Sequence, residues 1–533
     1  MAKSLSFLSL ALGLTFATQA QNTPFSHIPP GSEKVYQLNI GGILSKAGWS
    51  EIFDKLPKPT GEGAEFLAIL KDPSTAGIDI RQDVIFAQSP TKGADSAFFT
   101  TIILGISDSA KFRTTLRKAF KDFKHTPLAS KAVFAGQTGS TLYEGFAWND
   151  RLGIITHFQH SKDATLKPSV DMNVASLRAM TTRKSLETIK GYQNNYFTDD
   201  ALFQKVFNDG GDAHILTPQG AGYGEAFKKM NKGKGGNPFA KAIGLNGLKT
   251  LTTIRFDNGV ISLRSLLTST PQQADLFAKV ITRPLNTDLI ARLPAGDLLG
   301  VVSIHFDPKG LLDLMGLAKE FRAKFDSSLA KMGLTTADIT NAFTGDFVIA
   351  GIQPPAAPDA PSGSGKAQPT FYFATSVSDP VSFLKITSKI GLIKDPANAA
   401  PSGVLDLGKM KLAYAFKDNI LVLSMSADAA NAYFAGTEKR NTSFLSERIK
   451  NSVFGIYLDA DKVHALLEQI MHSSTKPQDQ NLLAALGAFD NVSISFGSLS
   501  DGYVETYVEV KMTNRQDNSL RSLINLIPTK EAH

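Results

Sequence analysis

Nine histidines and forty-nine carboxylates lie along this 533-residue chain, and chemistry would require some of them to stand at workable spacings. His157-Phe158-Gln159-His160 has the spacing of a metal-binding pair. On a helix both imidazoles could face one ion. Here they follow residues 152–156, which read as a strand, and positions i and i+3 of a strand point to opposite faces. The expectation is therefore a strand end running into a polar loop. His464 and His472 flank a predicted helix, and His305 lies in a predicted strand. No acidic residues cluster with them at metal spacing, so a zinc hydrolase is disfavoured.

Asp83 and Asp346 stand at equivalent entries to predicted strands and could be read as paired acids. The reading preferred here is that each satisfies turn amides ahead of a buried strand. Lys228, Lys229, Lys232 and Lys234, set among glycines, form a candidate anion-binding loop for a phosphate or an anionic lipid head group. No aromatic residues interleave and no helix start follows at once, so a solvated loop is expected. Gly365-Lys366 imitates the end of a phosphate-binding loop, but Ala360 replaces its first glycine and Ala367 its Ser/Thr, so the match fails. There is no Gly-x-Ser-x-Gly elbow. The absence of cysteine excludes a thiol nucleophile and thiolate metal sites. No catalytic, cofactor-binding or metal-binding residue is assigned, and no cofactor is expected. Phe98-Phe99 and Phe371-Tyr372-Phe373 read as sheet core, with a groove for an apolar ligand as the alternative.

The elements that would position such residues show a repeated order. Ile28-Pro29-Pro30-Gly31 matches Leu293-Pro294-Ala295-Gly296. Each opens a strand-like run, 35–40 and 299–306, followed by an apolar helix ending at Phe53 or Phe321. Buried strands are expected at 83–87 and 345–350, and aromatic, β-branched strands at 98–106 and 371–377. Asp108 and Asp379 then stand to cap helices whose first apolar contacts are Phe112 and Phe383. Hairpins follow at 143–156, turning at Asn149-Asp150, and at 411–424, turning at Asp418-Asn419. A shorter block recurs as well: strand, helix, hairpin and a closing helix at 272–281 and 518–527.

Hairpins joined by Asn, Asp and Gly, with helices inserted between them, predict an α+β protein. It should form two pseudo-repeats of mainly antiparallel sheet with helices packed on one face. The first copy is expected over 28–288, with sub-blocks 28–160 and 211–283. The second is expected over 289–533, with sub-blocks 293–437 and 449–530, and the boundary near 284–292. The Pro- and Ser-rich stretch 354–369 aligns with 89–95 and reads as an enlarged hairpin loop.

Residues 1–20 read as a cleaved secretory signal: Lys3, an apolar run over 5–16, then Ala17-Thr18-Gln19-Ala20. No later run is long enough to span a bilayer, so no transmembrane segment is expected in the mature chain. The net charge of +7, from 56 basic and 49 acidic residues, lacks the basic stripes of a nucleic-acid binder. A cysteine-free exported chain holds together by core burial alone.

The Ile28 to Gly31 and Leu293 to Gly296 openings, the Gly345-Asp346 strand entry and the Asp379 to Phe383 helix start together resemble a domain-of-unknown-function family of exported bacterial envelope proteins. Most of that family are lipoproteins. The resemblance implies no activity, cofactor or catalytic residue, and this chain lacks the lipid-acceptor cysteine. The function expected is a non-enzymatic, periplasmic or secreted envelope protein, peripheral at the outer membrane in one variant of the reading. It would bind another envelope protein or a glycan. A carrier of a lipid or other apolar ligand is the alternative, and a hydrolase the third.

Overall fold

The structure is a computed structural model. It describes residues 24–48, 71–91, 97–119, 124–126, 134–137, 144–160, 174–193, 195–218, 248–316, 319–354, 368–389, 402–406, 411–435, 442–443, 445–471, 477–500 and 503–526. The leader, the loop of Lys228, Lys229, Lys232 and Lys234, Gly365-Lys366, most of 354–369 and His472 lie outside the described residues. Among the described residues about 41% are helical and 38% are in strands, and the strands pair antiparallel, which is the expected α+β class.

Packing divides the chain into two compact units. One holds Met1–Thr217, Leu251–Arg255 and Ile527–His533; the other holds Pro218–Thr250 and Phe256–Leu526. This division falls earlier than the sequence boundary near 284–292.

The first unit contains β1 (Lys34–Leu38), β2 (Val84–Pro90), β3 (Ala97–Gly105), β4 (Lys124–Thr126), β5 (Phe134–Gln137), β6 (Glu144–Trp148), β7 (Leu152–His160) and β8 (Ala213–Pro218). They lie side by side in the order β8-β1-β2-β3-β7-β6-β5-β4. The helix Ser109–Ala119 starts where expected. Asp108 accepts the amides of Ala110 and Lys111 at 3.0 and 2.9 Å, and Phe112 is buried beside Leu104, Phe146 and Trp148. The helix Val174–Ile189, not anticipated from the sequence, lies on the other face, where Gly145 meets the backbone of Thr181 and Thr182. Ser185 donates to the Gly145 carbonyl at 2.8 Å and is bonded to the Thr156 hydroxyl at 2.8 Å.

β9 (Lys249–Asp257) is the strand in which the division falls. The second unit contains β10 (Val260–Thr268), β11 (Asp297–His305), β12 (Phe343–Gln353), β13 (Thr370–Val377), β14 (Ser402–Asp406), β15 (Lys411–Lys417), β16 (Ile420–Ser424), β17 (Ser452–Asp459), β18 (Phe489–Ser500) and β19 (Tyr503–Met512). Their lateral order is β10-β19-β18-β17-β11-β12-β13-β16-β15-β14. The run β17-β11-β12-β13-β16-β15-β14 matches β8-β1-β2-β3-β7-β6-β5 of the first unit, strand for strand in chain order.

Local chemistry explains the ends of these elements. Asp418 and Asn419 both take positive φ, 53° and 57°, the pair of left-handed residues that a two-residue turn between β15 and β16 needs. Asp379 accepts the amides of Val381 and Ser382, and Phe383 is fully buried. The helix Pro271–Val280 opens with a capping box between Thr270 and Gln273. In place of one helix ending at Phe321, the chain forms Pro308–Gly316 and then Lys319–Lys331. One face of this sheet is closed by a core of Leu289, Ile290, Val348, Tyr372, Val422 and Tyr433 with their neighbours.

Candidate functional site

The second unit brings together residues that sequence spacing left apart. His305 ends β11, directly opposite Asp346 on β12. Their side chains, each only 2% exposed, meet at 3.1 Å between Nδ1 and Oδ1. With the imidazole Nδ1–H donating to the carboxylate, Nε2 accepts from the Thr282 hydroxyl at 3.1 Å. Arg283 donates to Asp346 Oδ2 at 2.5 Å, and Thr344 donates to the same oxygen at 2.8 Å. Burial pushes the Asp346 carboxyl up, but the hydrogen bonds from His305, Arg283 and Thr344 outweigh it and hold the group below the usual carboxylate range.

One expectation is corrected here: Asp346 is held by side chains rather than by turn amides, and its single pairing with His305 is not a cluster at metal spacing. Asp83, its counterpart at the β2 entry, likewise takes a side chain, accepting Gln37 Nε2 at 2.5 Å. The succession of hydroxyl, imidazole and carboxylate has the order of a nucleophile relay. Thr282, however, is a branched secondary hydroxyl, and the Asp346 oxygen not used by His305 is taken by Arg283. The cluster ties the segment leading out of the helix Pro271–Val280 to β11 and β12.

The first unit holds a similar cluster on Asp209. His214 Nε2 lies 2.8 Å from Oδ1, Thr253 donates to Oδ2 at 2.8 Å, and Arg255 donates to the Asp209 carbonyl at 2.8 Å. Burial raises the Asp209 carboxyl, and the bonds from His214 and Thr253 bring it below its ordinary value. His157 lies within β7, which runs on to His160, so the predicted strand end comes later than expected. It faces Glu144 of β6 at 3.8 Å between Nδ1 and Oε1. Glu144 Oε2 and His157 Nδ1 are buried without a hydrogen-bond partner among the described residues. Burial pushes the Glu144 carboxyl up to about 7 and pushes the His157 imidazole down.

A different kind of site emerges from the sheet register of the second unit, because directly paired residues share a face. One row crosses eight adjacent strands. Leu423, Phe373, Ile349 and Val302 occupy it on β16, β13, β12 and β11. Ile456, Ile494, Val508 and Leu263 continue it on β17, β18, β19 and β10. Every member is apolar and none is fully buried. Ile349 is 48% exposed, Phe371 in the neighbouring row 58%, and Met425 just beyond β16 55%. The opposite face of β11, β12, β13 and β16 carries one core, and on the row's own face Leu423 packs against a second core that includes Leu421, Tyr414 and Phe383, so the row is open chiefly around Ile349, Phe371 and Met425. Of the aromatic trio singled out in the sequence, Tyr372 is core, Phe373 half-buried and Phe371 open to solvent. At the rim, Asp297, Leu299, Gln353 and Lys462 line a shallow pocket of only about 60 Å³.

No family model matches this chain, and no curated protein matches it. Three solved structures of TP0453 show partial likeness. Crystal form III is 10% identical, covers 50% of this chain and 90% of that one, and superimposes with a TM-score of 0.29. Form IV gives 10% identity, 50% and 87% coverage and a TM-score of 0.28. Form I gives 9% identity, 47% and 79% coverage and a TM-score of 0.26. Scores at this level do not establish a shared fold.

Proposed function

We propose that this chain is a non-enzymatic, exported cell-envelope protein that binds another envelope component through the exposed apolar patch of Ile349, Phe371 and Met425 in its second unit. The observation that carries the proposal is the exposure of Ile349, Phe371 and Met425, at 48%, 58% and 55%, side by side on one sheet face. A cluster of large apolar side chains left open to solvent on one face marks an interaction site. Covering a half-exposed Phe or Ile gains about 1 kcal/mol each by removal of apolar area from water. The matched strand order of the two units supports the further reading that one architectural block occurs twice. Residues 1–20 support export, with cleavage after Ala20.

The test is native mass spectrometry of full-length protein purified without detergent from the periplasmic fraction, wild type beside an Ile349→Lys, Phe371→Glu double variant. A protein or glycan should co-purify with the wild type and be lost from the double variant. Both positions are exposed, so their replacement should alter stability by less than about 0.5 kcal/mol. A partner retained by the double variant would defeat the proposal, and a tightly held lipid in its place would select the carrier alternative.

A further inference from the structure

On the opposite face of the same sheet, the second unit contains a hollow that the apolar row does not account for. Ala413 and Ala415 on β15 lie beneath Ala430 of the helix Ala427–Ala435, and Phe434 packs against this small cluster. The three alanines are themselves closed off from solvent, and beside them lies an open groove of about 340 Å³ lined by Ser402, Ala415, Phe416, Lys417, Asn431, Phe434 and Ala435.

Three properties of this groove narrow its ligand. Its volume lies at the lower end of the range for small-molecule sites, which suits a small ligand lying in it rather than one enclosed by it. Its floor is apolar, made by the alanines and Phe434. At its mouth Lys417 is exposed and has no carboxylate within ion-pair distance among the described residues, because the adjacent Asp418 turns to Arg292 at 3.5 Å. Asn431 and Ser402 add uncharged hydrogen-bonding groups beside it. A purely apolar ligand would leave this polar mouth unused, and a cation would be repelled by it.

We propose that the groove binds a small amphipathic anion of the medium-chain carboxylate class. The chain lies against Phe434 and Ala435, and the carboxylate meets Lys417. The site is independent of the apolar row, since Ala415 pairs with Val422 on the closed face, so either can fail without the other.

Octanoate, octan-1-ol and octylammonium are titrated calorimetrically into the full-length protein. Octanoate should bind one to one, octanol at least fivefold more weakly, and octylammonium not at all. Lys417→Glu should weaken octanoate at least fivefold and leave octanol unchanged. Ala435→Trp, which fills the groove from its exposed rim, should abolish both. Lys417 and Ala435 are exposed, so both variants should melt like the wild type. The proposal is overturned if octanoate gives no heat, if octanol binds as well as octanoate, or if Lys417→Glu and Ala435→Trp both bind like the wild type.

Discussion

Asp346 and Glu144 are both carboxyls buried against a sheet, yet their surroundings push them in opposite directions. Asp346 is surrounded by donors and its carboxyl is held low. Its contribution to stability is present above the unfolded value of 3.8 and is lost as the pH falls through the lower folded value. Asp346→Asn should therefore flatten the acid limb of unfolding. It should cost about 2–4 kcal/mol at neutral pH, since His305 and Arg283 lose their anion, as urea titrations at several pH values would show. Glu144 has no such donors, and burial lifts it to about 7 from 4.5. Between 4.5 and about 7 the folded form holds a proton that the unfolded chain has released, so stability falls across that window and is level above it. Glu144→Gln should abolish that decline and be more stable than the wild type by about 2–3 kcal/mol above pH ~8. A variant that declines in step with the wild type would contradict the burial argument. These sites were not legible in the sequence. Asp346 finds His305 across 41 positions and Arg283 across 63, and nothing local announces such meetings.

Elements were legible where their signals are local. The Asp108 and Asp379 caps, the Asp418-Asn419 turn and the hairpin at Asn149 fall where residue chemistry places them, because a cap or turn is decided within a few residues. The helix Val174–Ile189 escaped notice because its stripe is written in Thr and Ser as well as Leu and Ile; Leu177, Thr181, Ser185, Thr188 and Ile189 are buried in it. Alternation in 347–349 and 371–373 revealed strands, but alternation cannot say which apolar face will be covered. Two glycines show how closely elements approach. Gly345 has φ of 87°, and a Cβ there would run into the Phe306 carbonyl. Gly345→Ala should destabilise the second unit by at least about 2–3 kcal/mol, measurable by thermal melting. Gly145→Ala should cost about 1–3 kcal/mol by lifting the helix Val174–Ile189 off β6.

For the whole molecule, the expected α+β class holds, and packing draws its division in a different place from the sequence comparison. β10 pairs with β19 from Val260↔Lys511 to Thr268↔Tyr503, which fixes it in the second unit although it belongs to the first sequence copy. Asn518 and Ser519 add bonds to the carbonyls of Phe256 and Val260. A fragment spanning 256–533 should therefore melt cooperatively and at a higher temperature than one spanning 289–533, which leaves β19 without its neighbour. Equal melting of the two fragments would show that the β10 pairing contributes nothing.

The pairing of β1 with β8 sets a timetable for the nascent chain. Leu38 must wait for Ala213 before its strand is flanked on both sides. At synthesis rates of about 5–20 residues per second, that interval lasts roughly 10–35 s. Throughout it the backbone amides and carbonyls on one side of β1 stand open to any passing extended peptide, so this stretch needs a chaperone's shelter while the ribosome is still at work.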